Sequence, residues 1–230
     1  MIEVNKWLKM FTPILAIVLL LVACNDNKEE AAETEQAVPE ITEEEKLPED
    51  EIVAVVNGDE INGTTYNIVY AQLKLQAAQF NEEVDLNEIK EQTIESVIDR
   101  QLLVQEAKEL GIEYTNEEVE EQFLEMKENN GEALETLLGQ YQFTEEMFKE
   151  QIKFEFIMND FMTEAIEVTV DDDELKEHYE KAKEGNDEIP PFDEIKNDLQ
   201  RSLVQQKTAE ELEKLIEEAK EVAKIEQKLS

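Results

Sequence analysis

The chain is poor in the residues that punctuate or cross-link a fold: one cysteine, one histidine, 6 glycines and 5 prolines among 230 residues. Cysteine stands only at position 24, so no internal disulfide is available. A lone histidine leaves no histidine-rich metal cluster. Average chains carry about 12% glycine plus proline, and the shortage here argues against a turn-rich β-sandwich or barrel. Cations are scarce as well: 21 Lys and Arg stand against 59 Asp and Glu, a formal net charge of −38. That field opposes sequence-independent attraction to phosphate backbones, which removes nucleic acid as a partner. No glycine-rich phosphate loop and no G-x-S-x-G elbow is present, so nothing calls for a cofactor or a hydrolase nucleophile.

What is present begins with an address. Lys6 and Lys9 lead into an apolar run from Phe11 to Ala23, 13 residues long. A bilayer span needs about 20, so the length suits a signal peptide over residues 1–23. Leu21-Val22-Ala23-Cys24 follows at once and resembles the lipobox of bacterial lipoproteins. That resemblance implies cleavage before Cys24 and lipid attachment at its sulfur, which would anchor the protein to a membrane without spanning it. Glu3 in the basic leader departs mildly from the pattern. Residues 25–50 hold 11 acids and 2 bases without hydrophobic periodicity. They read as a disordered acidic tether from position 24 to position 50, reaching at most about 90 Å when extended. The working body is then expected at 51–230.

In that body Glu51-Ile-Val-Ala-Val-Val-Asn-Gly-Asp-Glu-Ile61 is a strand signal, a β-branched run broken by Asn57-Gly58, a pair suited to a tight hairpin turn. Tyr66, Val69, Tyr70, Leu73, Ala77 and Phe80 recur at helical spacing, which predicts a helix over 64–80. A longer one is expected after Asp85 as N-cap, running to Leu110 and stopped by Gly111. Thr115 and Glu118 form a capping box for a helix expected to end at Asn129-Asn130-Gly131. A short segment from Glu132 to Leu138 should stop at Gly139. Thr144 opens a helix to about Ala165, and Val168-Thr169-Val170 reads as an extended connector. Asp171 with Glu174 caps a helix over about 172–183, and a final helix begins at Phe192. The end of the chain, with Ile225 and Leu229, changes to strand period, and this terminal strand is expected to pair with Val53 to Val56.

Strings now add to periodicity. Val56-Asn57-Gly58-Asp59-Glu60-Ile61 resembles the V-N-G-x-x-I opening of the SurA/PrsA-like family of extracytoplasmic folding factors. Val97 to Ala107 followed by Gly111-Ile112 resembles its L-I-x-x-x-L-L-x-x-E-A helix and G-I stop. Thr115 to Val119, Val168 to Leu175 with Tyr179, and Pro191 to Lys196 come after these in the family's order. The resemblance implies a mostly α fold: a multi-helix chaperone domain like the SurA N-terminal domain, with residues 191–230 completing it and a small β element pairing the first and last strands. Many relatives insert a parvulin-type prolyl isomerase module before the P-F-x-E-I-K helix. Here the connection is KEGNDEIP, from Lys183 to Pro190, and parvulin sites use a pair of histidines. Catalytic residues are therefore not expected.

Of the remaining candidates, His178 has no convergent partner in sequence and reads as a helical surface or packing residue. Asp171 to Glu174 lacks the glycine of a calcium loop and reads as helix initiation. Phenylalanine and methionine crowd positions 143–162. Most are expected in the core, while Phe154, Met158, Phe161 and Met162 fall off the face of Phe148, Ile152 and Phe156 and are the candidate client-contact surface. The expected function is a lipid-anchored chaperone on the extracytoplasmic face of the cell membrane, binding unfolded or newly translocated proteins without ATP. A homodimer is compatible with this reading. The alternatives are a peptidyl-prolyl isomerase, by family label, and a non-catalytic envelope adaptor.

Overall fold

The computed structural model describes residues 41–79, 85–185 and 189–229. The signal peptide, Cys24, tether residues 24–40 and Phe80 lie outside the described residues. Among the described residues the elements run β1 (Ile52–Val56), β2 (Asp59–Asn62), α1 (Gly63–Gln79), α2 (Leu86–Glu109), α3 (Asn116–Tyr141), α4 (Glu145–Ala165), α5 (Asp172–Gly185), α6 (Phe192–Val222) and β3 (Ile225–Gln227). The protein is mostly α-helical, with one three-stranded antiparallel sheet of order β2-β1-β3. None of these helices is long and apolar enough to cross a membrane.

The sheet follows from its turn. Asn57 and Gly58 both take positive φ, 55° and 99°, the backbone that a two-residue hairpin demands and that asparagine and glycine supply most cheaply. β1 and β2 then pair in register from Val56↔Asp59 to Ala54↔Ile61, with an irregularity before Ile52↔Asn62. On the other edge Ala54, Val55 and Val56 face Gln227, Glu226 and Ile225. Asn57 N–H donates to the Lys224 carbonyl at 2.9 Å and Lys228 N–H to the Val53 carbonyl at 2.8 Å, which extends the ladder at both ends. Gln105 on α2 clamps the turn from outside: its amide donates to the Val56 carbonyl at 2.9 Å and to Asp59 at 2.7 Å, and it accepts from Asn57 at 2.8 Å.

Helix starts fall on their capping residues. Asp85 accepts from Asn87 N–H, Thr115 and Glu118 form the reciprocal box, Thr144 accepts from Met147 N–H, and Asp171 accepts from Glu174 N–H. Each satisfies backbone donors that the first turn leaves without partners. One expectation is corrected. Asn129-Asn130-Gly131 does not end a helix: α3 continues through a kink at Asn130 (φ −140°) and passes Gly139 to Tyr141. It stops instead at Gln142, which takes the left-handed conformation at φ 54°.

Three apolar clusters hold these elements together. In the first, Val53, Ala54, Val56 and Ile61 of the sheet pack with Tyr66, Val69 and Tyr70 of α1, Val97, Ile98 and Leu102 of α2, and Ala219 near the end of α6. A second joins Leu103 and Ala107 of α2 to Ile157 and Phe161 of α4 and to Leu212 and Ile216 of α6. Val119, Phe123 and Leu134 of α3 meet Phe148 and Ile152 of α4 in the third. α5 lies against the first half of α6, where Tyr179 meets Phe192 edge-on at 5.4 Å and Lys207 bonds Glu174 at 2.7 Å. The last segment of the chain thereby enters the core of the first.

Residues 41–50, expected in the tether, pack against the body. Ile41 is 9% exposed and belongs to the first cluster, and Glu45 is 7% exposed. This stretch is a strap folded onto the body. Composition alone suggested a tether there, because six of residues 41–50 are charged. The few groups that reverse it act through partners on α1.

Candidate functional site

The four residues expected to meet clients are not a free surface. Phe154 is 8% exposed and lies beneath the Arg100 guanidinium, whose Cζ is 3.8 Å from the ring centroid. Arg100 also donates to Gln151 at 3.0 Å and to the Glu150 carbonyl at 3.2 Å. Burial pulls its pKa down to about 10, which still leaves it charged at neutral pH. Phe161 is 2% exposed within the second cluster, and Met158 and Met162 are half-buried against the same cluster. α4 is buried on two sides: Phe148 and Ile152 face α3, while Ile157 and Phe161 face α2 and α6. The residues off the first face cover a second face, because α6 returns from the far end of the chain to occupy it. His178 is half-buried, and its Nδ1 has no hydrogen-bond partner among the described residues.

The concave feature lies elsewhere, beneath the strap. A cavity of about 520 Å³ separates strap residues Ile41, Leu47 and Pro48 from Tyr70, Tyr141 and Met147 of the body. Two carboxamides span it at its ends. Asn67 of α1 accepts from Leu47 N–H at 2.9 Å and donates to the Leu47 carbonyl at 2.8 Å. Gln142, in the carboxamide orientation that satisfies both groups, accepts from Ile41 N–H at 3.2 Å and donates to the Ile41 carbonyl at 3.1 Å. Each amide thus reads the backbone of one strap residue.

Between these two clasps sits Glu45. Its carboxylate accepts from Lys74 at 2.5 Å, from Tyr70 O–H at 2.7 Å, and from the Thr42 N–H and hydroxyl, each at 2.8 Å. Burial alone would raise this carboxyl, but the hydrogen bonds from Lys74, Tyr70 and Thr42 outweigh it and hold the group down at about 2. Tyr70 moves the opposite way: burial, then the adjacent carboxylate, push its hydroxyl well above the ordinary tyrosine range. The strap ends at the start of α1, where Thr64 N–H donates to the Glu49 carbonyl at 3.3 Å. Gly63 leaves the room for this: a Cβ there would lie 1.9 Å from the Pro48 carbonyl oxygen. Sequence reasoning missed this site. Its one local signal was an isoleucine and a leucine six positions apart inside an acidic run.

Comparison with known proteins places the chain. The sequence profile described as SurA-like N-terminal domain matches residues 5–162. The chain belongs to the SurA-like N-terminal domain family. The strap, α1 to α3 and α4 as far as Met162 fall within the matched span, whereas α5, α6 and β3 follow it. A protein named foldase protein PrsA from Caldanaerobacter subterraneus subsp. tengcongensis is 26% identical over 192 residues, covering 78% of this chain and 53% of the relative. A protein of the same name from Clostridium botulinum (strain 657 / Type Ba4) is 27% identical over 193 residues, covering 74% of this chain and 56% of the relative. The chain therefore spans little more than half the length of the curated relatives it matches. The SurA/PrsA-like resemblance read from the five ordered strings agrees with these matches.

Two outcomes are expected from this geometry. Phe161→Ala lowers the unfolding free energy by about 3–5 kcal/mol in urea titrations, as for any large buried side chain; an exposed contact residue would change it by about 0.5 kcal/mol or less. Glu45→Gln removes a carboxylate whose folded pKa lies below that of an ordinary glutamate, 4.5. Such a group contributes stability above its unfolded pKa and loses it as pH falls through the folded one. The wild-type advantage over Glu45→Gln, on the order of 2–3 kcal/mol, should be full above pH 4.5 and vanish between pH 4.5 and 2. Urea midpoints of both proteins across that range check it.

Proposed function

We propose that this protein is an extracytoplasmic chaperone, anchored to the membrane by lipid at Cys24, that holds unfolded or newly translocated polypeptides without nucleotide. The observation that carries the reading is the match of residues 5–162 to the SurA-like N-terminal domain, joined by similarity to proteins named foldase PrsA. The two amides at the ends of the groove address peptide backbone rather than particular side chains, which suits a binder of varied sequences. Contacts of that kind are individually weak, which favours release without an energy source. The field of the acidic body keeps complexes soluble and favours clients with basic stretches. Holding, rather than proline isomerisation, is the activity we assign, because the residues on which parvulin chemistry depends have no counterpart in the sequence.

The test is light scattering of a chemically unfolded, aggregation-prone protein diluted into buffer that contains the full chain in lipid nanodiscs. Scattering should fall with the ratio of chain to client, approach completion near equimolar amounts, and be indifferent to ATP. Scattering equal to that with empty nanodiscs, even at excess chain, would reject general chaperoning and favour an adaptor for one native partner. Acceleration of a proline-limited refolding reaction at catalytic amounts would instead favour the isomerase.

A further inference from the structure

The strap is held in the manner of a bound peptide, not of a packed secondary-structure element. Helices and strands satisfy their backbone through each other, whereas Ile41 and Leu47 have N–H and C=O satisfied by side-chain amides of Gln142 and Asn67, which come from different parts of the body. Gln142 presents its amide from a left-handed backbone, a conformation that a residue with a Cβ adopts at a cost of roughly 1–2 kcal/mol. Ile41 inserts its side chain into the first cluster, and Glu45 reaches Lys74 and Tyr70. Yet the fit is incomplete, since about 520 Å³ remains open between strap and body, beside Tyr141 and Met147.

We infer that the groove between α1 and the α3–α4 turn is a peptide-binding site whose resident occupant, strap residues 41–47, is an internal competitor displaced by an unfolded segment of a client protein. The matching ligand is a peptide with an apolar residue at each end of a seven-residue stretch and a carboxylate at its fifth position, the arrangement of Ile41, Glu45 and Leu47. The open volume accommodates side chains larger than those of the strap, so a client carrying aromatic residues fills space that the resident leaves empty. Tethering gives the strap an effective concentration in the millimolar range, so it excludes weak ligands and yields to clients that fill the cavity. The identity of the natural occupant rests on the chaperone reading; the existence of the site does not.

Gly63 provides the test. Gly63→Ala introduces a Cβ 1.9 Å from the Pro48 carbonyl oxygen, a backbone atom that cannot rotate aside, while alanine is a better helix former than glycine. The substitution therefore lifts the strap and spares α1. A fluorescent peptide of residues 38–47, which ends before Pro48, is titrated by anisotropy into the full chain in nanodiscs, with a scrambled peptide of equal charge as control. The expected result is saturable binding to Gly63→Ala about tenfold or more tighter than to the unaltered chain, abolished by adding Asn67→Ala. Ile41→Ser with Leu47→Ser changes the strap and leaves the groove intact. It should open the site in the same way, and it decides the matter where Gly63→Ala fails to fold. Equal, weak binding of true and scrambled peptide to folded strap-weakened chains would overturn the proposal. Run on the same samples, the scattering assay separates the two readings. Peptide binding without suppression removes the chaperone function and keeps the site. Suppression without peptide binding removes the site and keeps the function.

Discussion

The ladder between β1 and β3 ties the two ends of the body together, and the remaining packing depends on that closure. Three residue pairs and two flanking backbone bonds hold Ile225–Gln227 against Ala54–Val56. Because β3 is held there, α6 must run back across the molecule, carrying Leu212 and Ile216 to α2 and α4 and Ala219 to the sheet. Asp99 of α2 meets Lys220 at the same junction, partly offsetting the burial that otherwise raises the Asp99 carboxyl. Closing so long a loop carries an entropic cost that grows only slowly with its length, and the apolar surface covered by α6 offsets it.

The same closure explains why α4 is covered on a second side. A helix packed only on α3 would leave Ile157 and Phe161 in water, and a chain with this many apolar positions on one helix would be prone to associate. α6 covers those positions, and Arg100 covers Phe154 from α2. Among the described residues a concave surface lies between the strap and the α3–α4 turn. Fold and site are thus complementary: α6 and β3 seal one side of the helical layer, and residues 41–47 lie over the other opening.

Much of this was legible in the sequence because the deciding interactions are local. Asn57-Gly58 requires positive φ at two successive residues, and Asp85, Thr115 with Glu118, and Thr144 each satisfy donors within three positions of themselves. The terminal strand was legible through the change of period at Ile225. What was not legible depends on distant partners. Glu45 looks like its acidic neighbours until Lys74 and Tyr70, 29 and 25 residues away, are placed beside it. Phe154 and Phe161 were assigned to a free face because helical spacing shows which residues share a side and not what covers that side. Asn130 and Gly139 carry breaker composition, but the helix is retained through both, and Gln142 ends it where its amide can hold Ile41.

Native-state hydrogen exchange of the full chain measures the closure most directly. The Asn57 and Lys228 amides, which bond across to Lys224 and Val53, should exchange with the same opening free energy as buried amides of α2, through global unfolding alone. Exchange of these two amides orders of magnitude faster than α2, with the helix still protected, would show that β3 frays independently and that the body does not depend on the joining of its ends.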